Sequence, residues 1–214
     1  MSDMRTDNNK VLISGKVVSE FIFDNETFGE RFYKVTIAIE RLSDVIDFIP
    51  VMVSEKMIDV TKNFVGCFVR VTGQYRSYNL PIQDQEHKSK LLLYVFAKEW
   101  ELLGDEESVF ENQIILRGFL CKKPVHRKTP FGRELTELLV AVNRTYANSD
   151  YIPCICWGID SYFASEYEVG TSVELMGRVQ SREYSKTLSN GESETRIAYE
   201  VSCKHIDKWI LSKK

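Results

Sequence analysis

Basic side chains cluster in one part of a chain that is otherwise slightly acidic. The formal net charge of the 214 residues is −3, so an anion-binding surface must come from a local arrangement and not from overall balance. Between residues 117 and 144, only Glu134 and Glu137 oppose the basic side chains. This stretch predicts a local anion-binding surface. Its basic residues are Arg117, Lys122, Lys123, Arg127, Lys128, Arg133 and Arg144.

Large rings alternate with small apolar residues just after the basic stretch. Successive side chains of a strand point to opposite faces. Residues 151–157 therefore place Tyr151 and Trp157 on one face and Cys154 and Cys156 on the other. We expect the rings to lie outside and the small residues inside. The alternative interpretation is that the rings fill the core.

The chain contains an odd number of cysteines: Cys67, Cys121, Cys154, Cys156 and Cys203. The C-x-C spacing of Cys154 and Cys156 does not suit a structural zinc site, which needs C-x(2–4)-C and a second pair. We expect buried free thiols in a reducing compartment, with a metal or redox role as the less favoured alternative. No cofactor and no metal are expected.

An internal repeat organises the chain. When the sequence is aligned with itself at an offset of 103 residues, three segments that contain glycine or proline match without a gap. Such a repeat indicates a duplicated fold. The matches include Asn9 with Asn112, Gly15 with Gly118, Phe28 with Phe131, Gly29 with Gly132, Arg41 with Arg144 and residues 49–50 with 152–153. We therefore expect a first domain over 9–103, an acidic linker over 104–111 and a second domain over 112–209.

Each half is predicted to contain five strands and one short helix in the order β-β-β-α-β-β. This order fits an all-β chain of two tandem OB folds, which are five-stranded Greek-key barrels, with the helix between strands three and four. A mixed α/β sheet would need a helix between most strands. The predicted strands cover 11–18, 32–40, 48–53, 67–75 and 91–100 in the first half and 114–120, 135–143, 151–157, 172–179 and 197–205 in the second, with helices over 54–64 and 159–169.

The second half resembles the bacterial single-stranded DNA-binding protein family. The resemblance is carried by residues 112–118 (NQIILRG), 129–132 (TPFG), 139–144 (LVAVNR), 151–158 (YIPCICWG) and 174–184 (ELMGRVQSREY). The first half keeps the skeleton but fewer of the surface residues. The resemblance implies sequence-tolerant binding of single-stranded DNA in replication, recombination or repair, with bases stacked on aromatic rings and phosphates held by basic groups.

The resemblance also implies the site residues. Base stacking maps onto Tyr146, Tyr151, Trp157 and Tyr184, with Phe48, Tyr75 and Tyr78 as candidates in the first half. The candidate phosphate contacts are Arg117, Lys128, Arg133, Arg144, Arg178 and Arg182, each of which alone has a solvated surface charge as its alternative. Because Ser54 stands where Trp157 stands in the repeat, we expect the first barrel to bind DNA more weakly.

The family's four-barrel assembly implies a homodimer of this two-barrel chain. Replication proteins are possible partners, but not through an acidic C-terminal tail, because the chain ends in basic residues. We expect no catalytic residues, no membrane partner and a cytoplasmic location, in a bacterial nucleoid or a phage-infected cell. Three alternatives stay open: an accessory OB protein of the primosome or plasmid type that mainly docks onto proteins, a purely structural module, and RNA binding.

Overall fold

A computed structural model describes residues 8–81, 89–104, 109–145, 148–187 and 191–209. The first half contains β1 (Asn9–Val17), β2 (Ile22–Thr27), β3 (Glu30–Glu40), β4 (Ile46–Ser54), β5 (Phe68–Pro81) and β6 (Ser89–Leu102). The second contains β7 (Glu111–Leu120), β8 (Val125–Lys128), β9 (Glu134–Asn143), β10 (Ser149–Trp157), α1 (Gly158–Ser165), β11 (Ser172–Thr187) and β12 (Ser193–Lys208). The eight-residue helix α1 is far too short to span a bilayer.

Each half closes into a barrel, which confirms the predicted tandem OB architecture. The strands run β3-β4-β6-β5-β1 in the first half, and β1 returns to pair with β3 at Lys16 and Ala38. The second half repeats this arrangement, and β7 closes onto β9 at Phe119 and Ala141. Closure leaves no free sheet edge inside either barrel.

Two glycines of the repeat stand where β1 and β7 each contact two neighbouring strands. A Cβ atom on Gly15 would lie 2.2 Å from the backbone oxygen of Ala38, and one on Gly118 would lie 2.4 Å from that of Ala141. No other residue can tolerate so close an approach of two backbones. The barrels therefore require glycine at both positions, which accounts for this match between the halves.

The two barrels are joined through β1 and β7 about an approximate twofold axis. The antiparallel pairing centres on Val11 opposite Ile114, which are themselves 103 residues apart, and places Asn9 opposite Leu116 and Ile13 opposite Asn112. The twelve strands form one continuous sheet. From its centre, the strands of the second half follow in the same order as their equivalents in the first half. The duplicated sequence thus packs as a symmetric pair.

The helix predicted over residues 54–64 is wrong. Ser54 Oγ accepts a hydrogen bond from Lys56 N, Asp59 Oδ1 accepts one from Thr61 N, and Asn63 Oδ1 accepts one from Val65 N. These local side-chain contacts offer the backbone turns instead of helical hydrogen bonds. In the second half the predicted helix exists but ends at Ser165, before residue 169.

The strand predictions are confirmed in place, with two omissions. β2 and β8 are short strands that form hairpins with β3 and β9, and neither was expected. β5 and β11 continue to Pro81 and Thr187, well past residues 75 and 179, and form two long hairpin arms with β6 and β12. Residues 78–80 and 182–187 of these arms are all exposed, so the alternation of buried and exposed residues that predicts a strand is missing there.

The expected burial of the C-x-C pair is confirmed. Cys154 and Cys156 are free and buried, and Cys203 of β12 lies beside them. A hydrogen bond with Cys203 and burial raise the pKa of the Cys156 thiol. The group therefore stays in its neutral form, as expected of a cysteine that packs as a small apolar residue.

Candidate nucleic-acid interface

The outer surface of β10 carries two of the predicted stacking rings. Tyr151 is 43% exposed and Trp157 is 36% exposed, whereas Ile152 and Cys154 are buried. This division follows from the alternation of side chains along a strand. The rings therefore do not fill the core, and both present part of their surface to solvent.

β9 and β8 extend this surface on one side. β9 places Leu135 opposite Trp157 and Ala141 opposite Tyr151, and β8 places Arg127 opposite Leu135. Arg127, Leu135 and Trp157 thus form a row across three strands. Arg127 makes an ion pair of 3.1 Å with Glu137.

β12 and β11 extend it on the other side. Ile155 of β10 faces Ser202 of β12, which faces Arg178 of β11, so these three share the outer side of the barrel. Arg182 and Tyr184 follow at even spacing from Arg178 and point the same way. The structure thus brings together five predicted residues on one continuous surface, here called the aromatic face: Tyr151, Trp157, Arg178, Arg182 and Tyr184.

The two arginines of the aromatic face differ in their partners. Arg182 Nε lies 3.3 Å from Glu200 Oε1, and its guanidinium carbon lies 6.0 Å from the centre of the Tyr184 ring. Arg178 donates to Gln180 Oε1 at 3.3 Å and has no ion-pair partner among the described residues. Burial, and then the nearby Arg41, lower the pKa of Arg178 from that of a free arginine. A phosphate bound next to Arg178 would therefore stabilise its positive charge.

Arg117 is already paired within the second barrel and lies far from the Tyr184 end of the aromatic face. It forms an ion pair with Glu174, at the start of β11, and its guanidinium lies over the Trp209 ring at 5.5 Å. Glu174 and Tyr184 are ten residues apart along β11, which at about 3.3 Å per residue is roughly 33 Å. Arg117 is therefore separated from the predicted stacking ring of Tyr184.

Arg144 has a structural role, which corrects its assignment as a phosphate contact. It pairs with both carboxylate oxygens of Asp150, whose side chain is almost fully buried, and donates to Ser77 O in the first barrel at 2.9 Å. If Arg144 turned to a phosphate, Asp150 would be left as an unpaired buried charge. Its guanidinium is thus already committed within the protein.

The first barrel contains the matching contact. Arg41 pairs with buried Asp47 and lies 3.4 Å from Ser181 O, and Asp47 Oδ1 accepts from Ser181 N at 2.7 Å. We call these two groups the cross-barrel clamps: Arg144, Asp150 and Ser77 form one, and Arg41, Asp47 and Ser181 form the other. Each clamp ties a β3–β4 or β9–β10 hairpin to the arm of the other barrel.

Lys128 and Arg133 are exposed at the β8–β9 hairpin. Neither has an ion-pair partner among the described residues. Both are therefore accessible to an external anion.

Among the other predicted stacking residues, Phe48 and Tyr78 are exposed. Tyr146 lies outside the described residues. The prediction for Tyr75 is wrong, because this side chain is fully buried inside the first barrel. Tyr75 shares the inward side of β5 with Val69, Val71 and Gly73, and burial raises its pKa.

Sequence reasoning missed a group of rings on the outer side of the first barrel. Phe32 of β3 stands opposite Ser54, and its ring centre lies 5.7 Å from that of Phe96 on β6. Arg76 lies over Phe96 at 3.9 Å. In the second barrel the equivalent positions hold Leu135 on β9 and Trp157 on β10. The ring of this pair is therefore on β3 in the first barrel and on β10, the equivalent of β4, in the second. The alternation in residues 32–40 indicated which of its side chains face outward. The sequence did not show that Phe32 lies opposite Ser54.

Comparison with known proteins agrees with this geometry. Residues 111–208 match the model of the Single-strand binding protein family. The chain is 34% identical over 80 residues to Single-stranded DNA-binding protein 2 of Listeria innocua, covering 34% of this chain and 50% of that protein. It is 32% identical over 99 residues to Single-stranded DNA-binding protein 1 of Staphylococcus aureus, covering 43% and 57%. The chain thus spans about half the length of the curated relatives it matches.

A solved structure extends the likeness to both barrels. The wild-type single-stranded DNA binding protein from Thermus aquaticus superposes with a TM-score of 0.75 over 96% of this chain and 95% of that one, at 19% sequence identity. At this identity the superposition speaks for the fold alone. The family likeness therefore rests on the second barrel, which matches the model of the single-strand binding protein family over residues 111–208.

Proposed function

We propose that the chain binds single-stranded DNA without sequence preference, with the aromatic face of the second barrel as its main contact surface. The observation that carries this proposal is the placement of three exposed rings and two guanidinium groups on one continuous sheet surface. The family of the second barrel supports the same ligand.

The chemistry of this face suits unpaired nucleotides. A ring that is exposed on one side stacks on any base, since every base has a π-face, and such stacking contributes about 1–3 kcal/mol per base. Guanidinium groups beside the rings contact phosphates and release counterions, which makes the affinity fall as salt rises. Neither interaction reads sequence, so the proposed role is to coat and protect single strands during replication, recombination or repair. This role needs no catalytic group.

A titration with oligo-dT tests the proposal. We expect binding at low salt, quenching of Trp157 fluorescence, and a linear decrease of log K with log salt concentration. Because Trp100 and Trp209 also fluoresce, the titration is repeated with Trp157→Phe, which should lose most of the quenching. An unchanged signal at low salt in both proteins contradicts the proposal. Stronger binding to oligo-U than to oligo-dT assigns the face to RNA instead.

We also propose that the chain forms a homodimer, which would provide four barrels. The twofold pairing of β1 with β7 within the chain supports this, because it shows that these barrels associate symmetrically. Light scattering should give about twice the mass of the 24.8 kDa chain. A mass equal to that of one chain contradicts the dimer. The location that we propose, among the nucleic acid of a bacterial or phage-infected cytoplasm, follows from the ligand.

One observation favours a second candidate, an accessory protein that binds DNA weakly and mainly docks onto other proteins. Arg117, Arg144 and Arg182 already face Glu174, Asp150 and Glu200 in the structure, so part of the predicted positive charge is neutralised internally. This candidate predicts a shallow salt dependence in the same titration, because few counterions would be released.

A further inference from the structure

The two equivalent hairpins of the barrels each display a phenylalanine at the tip. Phe28 at the β2–β3 turn and Phe131 at the β8–β9 turn are 104% and 94% exposed. They are 103 residues apart and occupy the same position of the repeat. Turns normally carry Gly, Pro, Asn, Asp or Ser, and a fully exposed ring at this position adds nothing to the packing of the core.

The backbone around Phe131 is ordered by its own hydrogen bonds. Gly132 N donates to Thr129 O at 2.9 Å, Thr129 N donates to Arg133 O at 2.8 Å, and Arg133 N donates to Thr129 Oγ1 at 3.0 Å. Pro130 restricts the turn further, and Gly132 supplies the positive φ of 78° that closes it. The ring of Phe131 is therefore held out by a defined turn, which lowers the entropy lost when it binds a ligand.

The two tips differ in charge. Residues 125–135 contain three basic side chains and one acidic one, whereas the equivalent residues 22–32 contain one basic and three acidic. The acidic groups of the first tip, Asp24, Glu26 and Glu30, form ion pairs with Lys34, Arg31 and Lys56. In the second tip, Lys128 and Arg133 flank Phe131 without an ion-pair partner among the described residues.

The second tip continues the aromatic face. β8 and β9 lead from the row of Arg127, Leu135 and Trp157 directly into the turn. Phe131 is four residues from Leu135, so at about 3.3 Å per residue it lies within roughly 13 Å of that row. A strand that stacks on Trp157 and follows the hairpin outward would reach Phe131 next.

We propose that Phe131 is an additional base-stacking site for an unpaired nucleotide, with Lys128 and Arg133 holding the adjacent phosphates. This inference rests on the proposed binding of single-stranded DNA and adds the hairpin to its contact surface. A nucleic acid matches both features of the tip, because it offers a flat π-surface to the ring and negative charge to the two cations. The first tip has the ring without the unpaired cations and is not part of the site.

The test compares Phe131→Ala with the matched variant Phe28→Ala in the full chain. The readout is anisotropy of a labelled oligo-dT of about 35 nucleotides, which exceeds the roughly 4–16 nucleotides per OB fold for two barrels. Loss of one stacked base should weaken binding by Phe131→Ala about 5- to 150-fold, while Phe28→Ala changes it less than about twofold, as expected for a residue without phosphate contacts nearby. Phe131→Trp should retain the affinity, and Phe131→Leu should not, because leucine lacks a π-face.

Three further measurements separate the outcomes. Thermal unfolding of Phe131→Ala should match the wild type, since the ring buries little surface. Its salt slope should also be unchanged, whereas Lys128→Ala should reduce the slope by about one. If wild-type protein fails to bind oligo-dT, the proposed function itself is wrong. If wild type binds and Phe131→Ala binds equally well, or if this variant instead dissociates the oligomer in light scattering, only the hairpin site is overturned.

Discussion

Ser77 of the first barrel accepts a hydrogen bond from the backbone of Tyr151 in the second, with 2.8 Å between Ser77 Oγ and Tyr151 N. The opposite contact also exists, because Ser181 Oγ accepts from Phe48 N at 3.1 Å. In each barrel, a residue predicted to stack on a base is therefore positioned by a serine of the other barrel. Phe48 and Tyr151 are thus positioned jointly by the two barrels, whose relative orientation is held by the cross-barrel clamps.

Ser77→Ala should loosen Tyr151 without removing its ring. Loss of one neutral hydrogen bond should lower the free energy of unfolding by about 1 kcal/mol. The Tyr151 amide should exchange its hydrogen faster, and DNA binding should weaken less than in Tyr151→Ala. Hydrogen exchange measured at single amides checks this. Ser181→Ala is the matched control, since it should affect the Phe48 amide and leave that of Tyr151 protected.

Arg144→Ala should be strongly destabilising. Asp150 is nearly buried and depends on Arg144 for its charge partner, and breaking such a pair from one side costs about 3–5 kcal/mol. Replacing both residues, Arg144→Met with Asp150→Leu, should recover much of this loss because no unpaired charge remains. Urea denaturation of the two variants measures the difference. Equal stability of Arg144→Ala and wild type would mean that the clamp does not hold the barrels.

Tyr75 and Tyr151 should respond in opposite ways to the same substitution. Tyr75→Ala removes a fully buried ring and should cost about 3–5 kcal/mol of stability. Tyr151→Ala should leave stability nearly unchanged and weaken oligo-dT binding about 5- to 150-fold. Thermal melts and anisotropy titrations of both variants check this. A weaker affinity of folded Tyr75→Phe protein would show that Tyr75 acts in binding after all.

The first barrel should contribute less to binding than the second. A base on Phe48 has no second ring along the same strand, because Ser54 stands where Trp157 stands in β10. We therefore expect Phe48→Ala to weaken oligo-dT binding less than Tyr151→Ala, and Ser54→Trp to narrow the difference. Titrations of the three variants under one salt condition decide this. Equal losses from Phe48→Ala and Tyr151→Ala would contradict the ranking.

Local patterns account for what could be predicted at the site. The outward direction of Tyr151 and Trp157 follows from the period of two along a strand, which needs no knowledge of the neighbours. The same rule applied to residues 69–75 would have placed Tyr75 inside with Val69 and Val71. The prediction was wrong because it gave Tyr75 a surface role, although the alternation along this strand already predicted an inward side chain.

The wrongly predicted helix and the missed clamps have different causes. Residues 54–64 contain Ser54, Asp59 and Asn63, whose side chains bond to nearby amides and so favour turns over a helix, and this signal was readable. For Arg144, the repeated spacing of six residues to Asp150, matched by Arg41 and Asp47, was also readable, but its contact with Ser77, 67 residues away, was not. Because Arg144 lies in a basic stretch, it was predicted to contact a phosphate, and only the ion pair with Asp150 shows its structural role.

The amino-acid sequence by itself determined the duplication, the barrel strands and the side of β10 that faces solvent, since repeats, glycines with close backbone contacts and alternation are properties of short segments. Only the tertiary structure decided which charges are already paired, that serines of one barrel position residues of the other, and that the ring absent at Ser54 reappears at Phe32. Those features depend on which side chains meet across neighbouring strands and between the two barrels, and such contacts arise only once both barrels have closed and packed together.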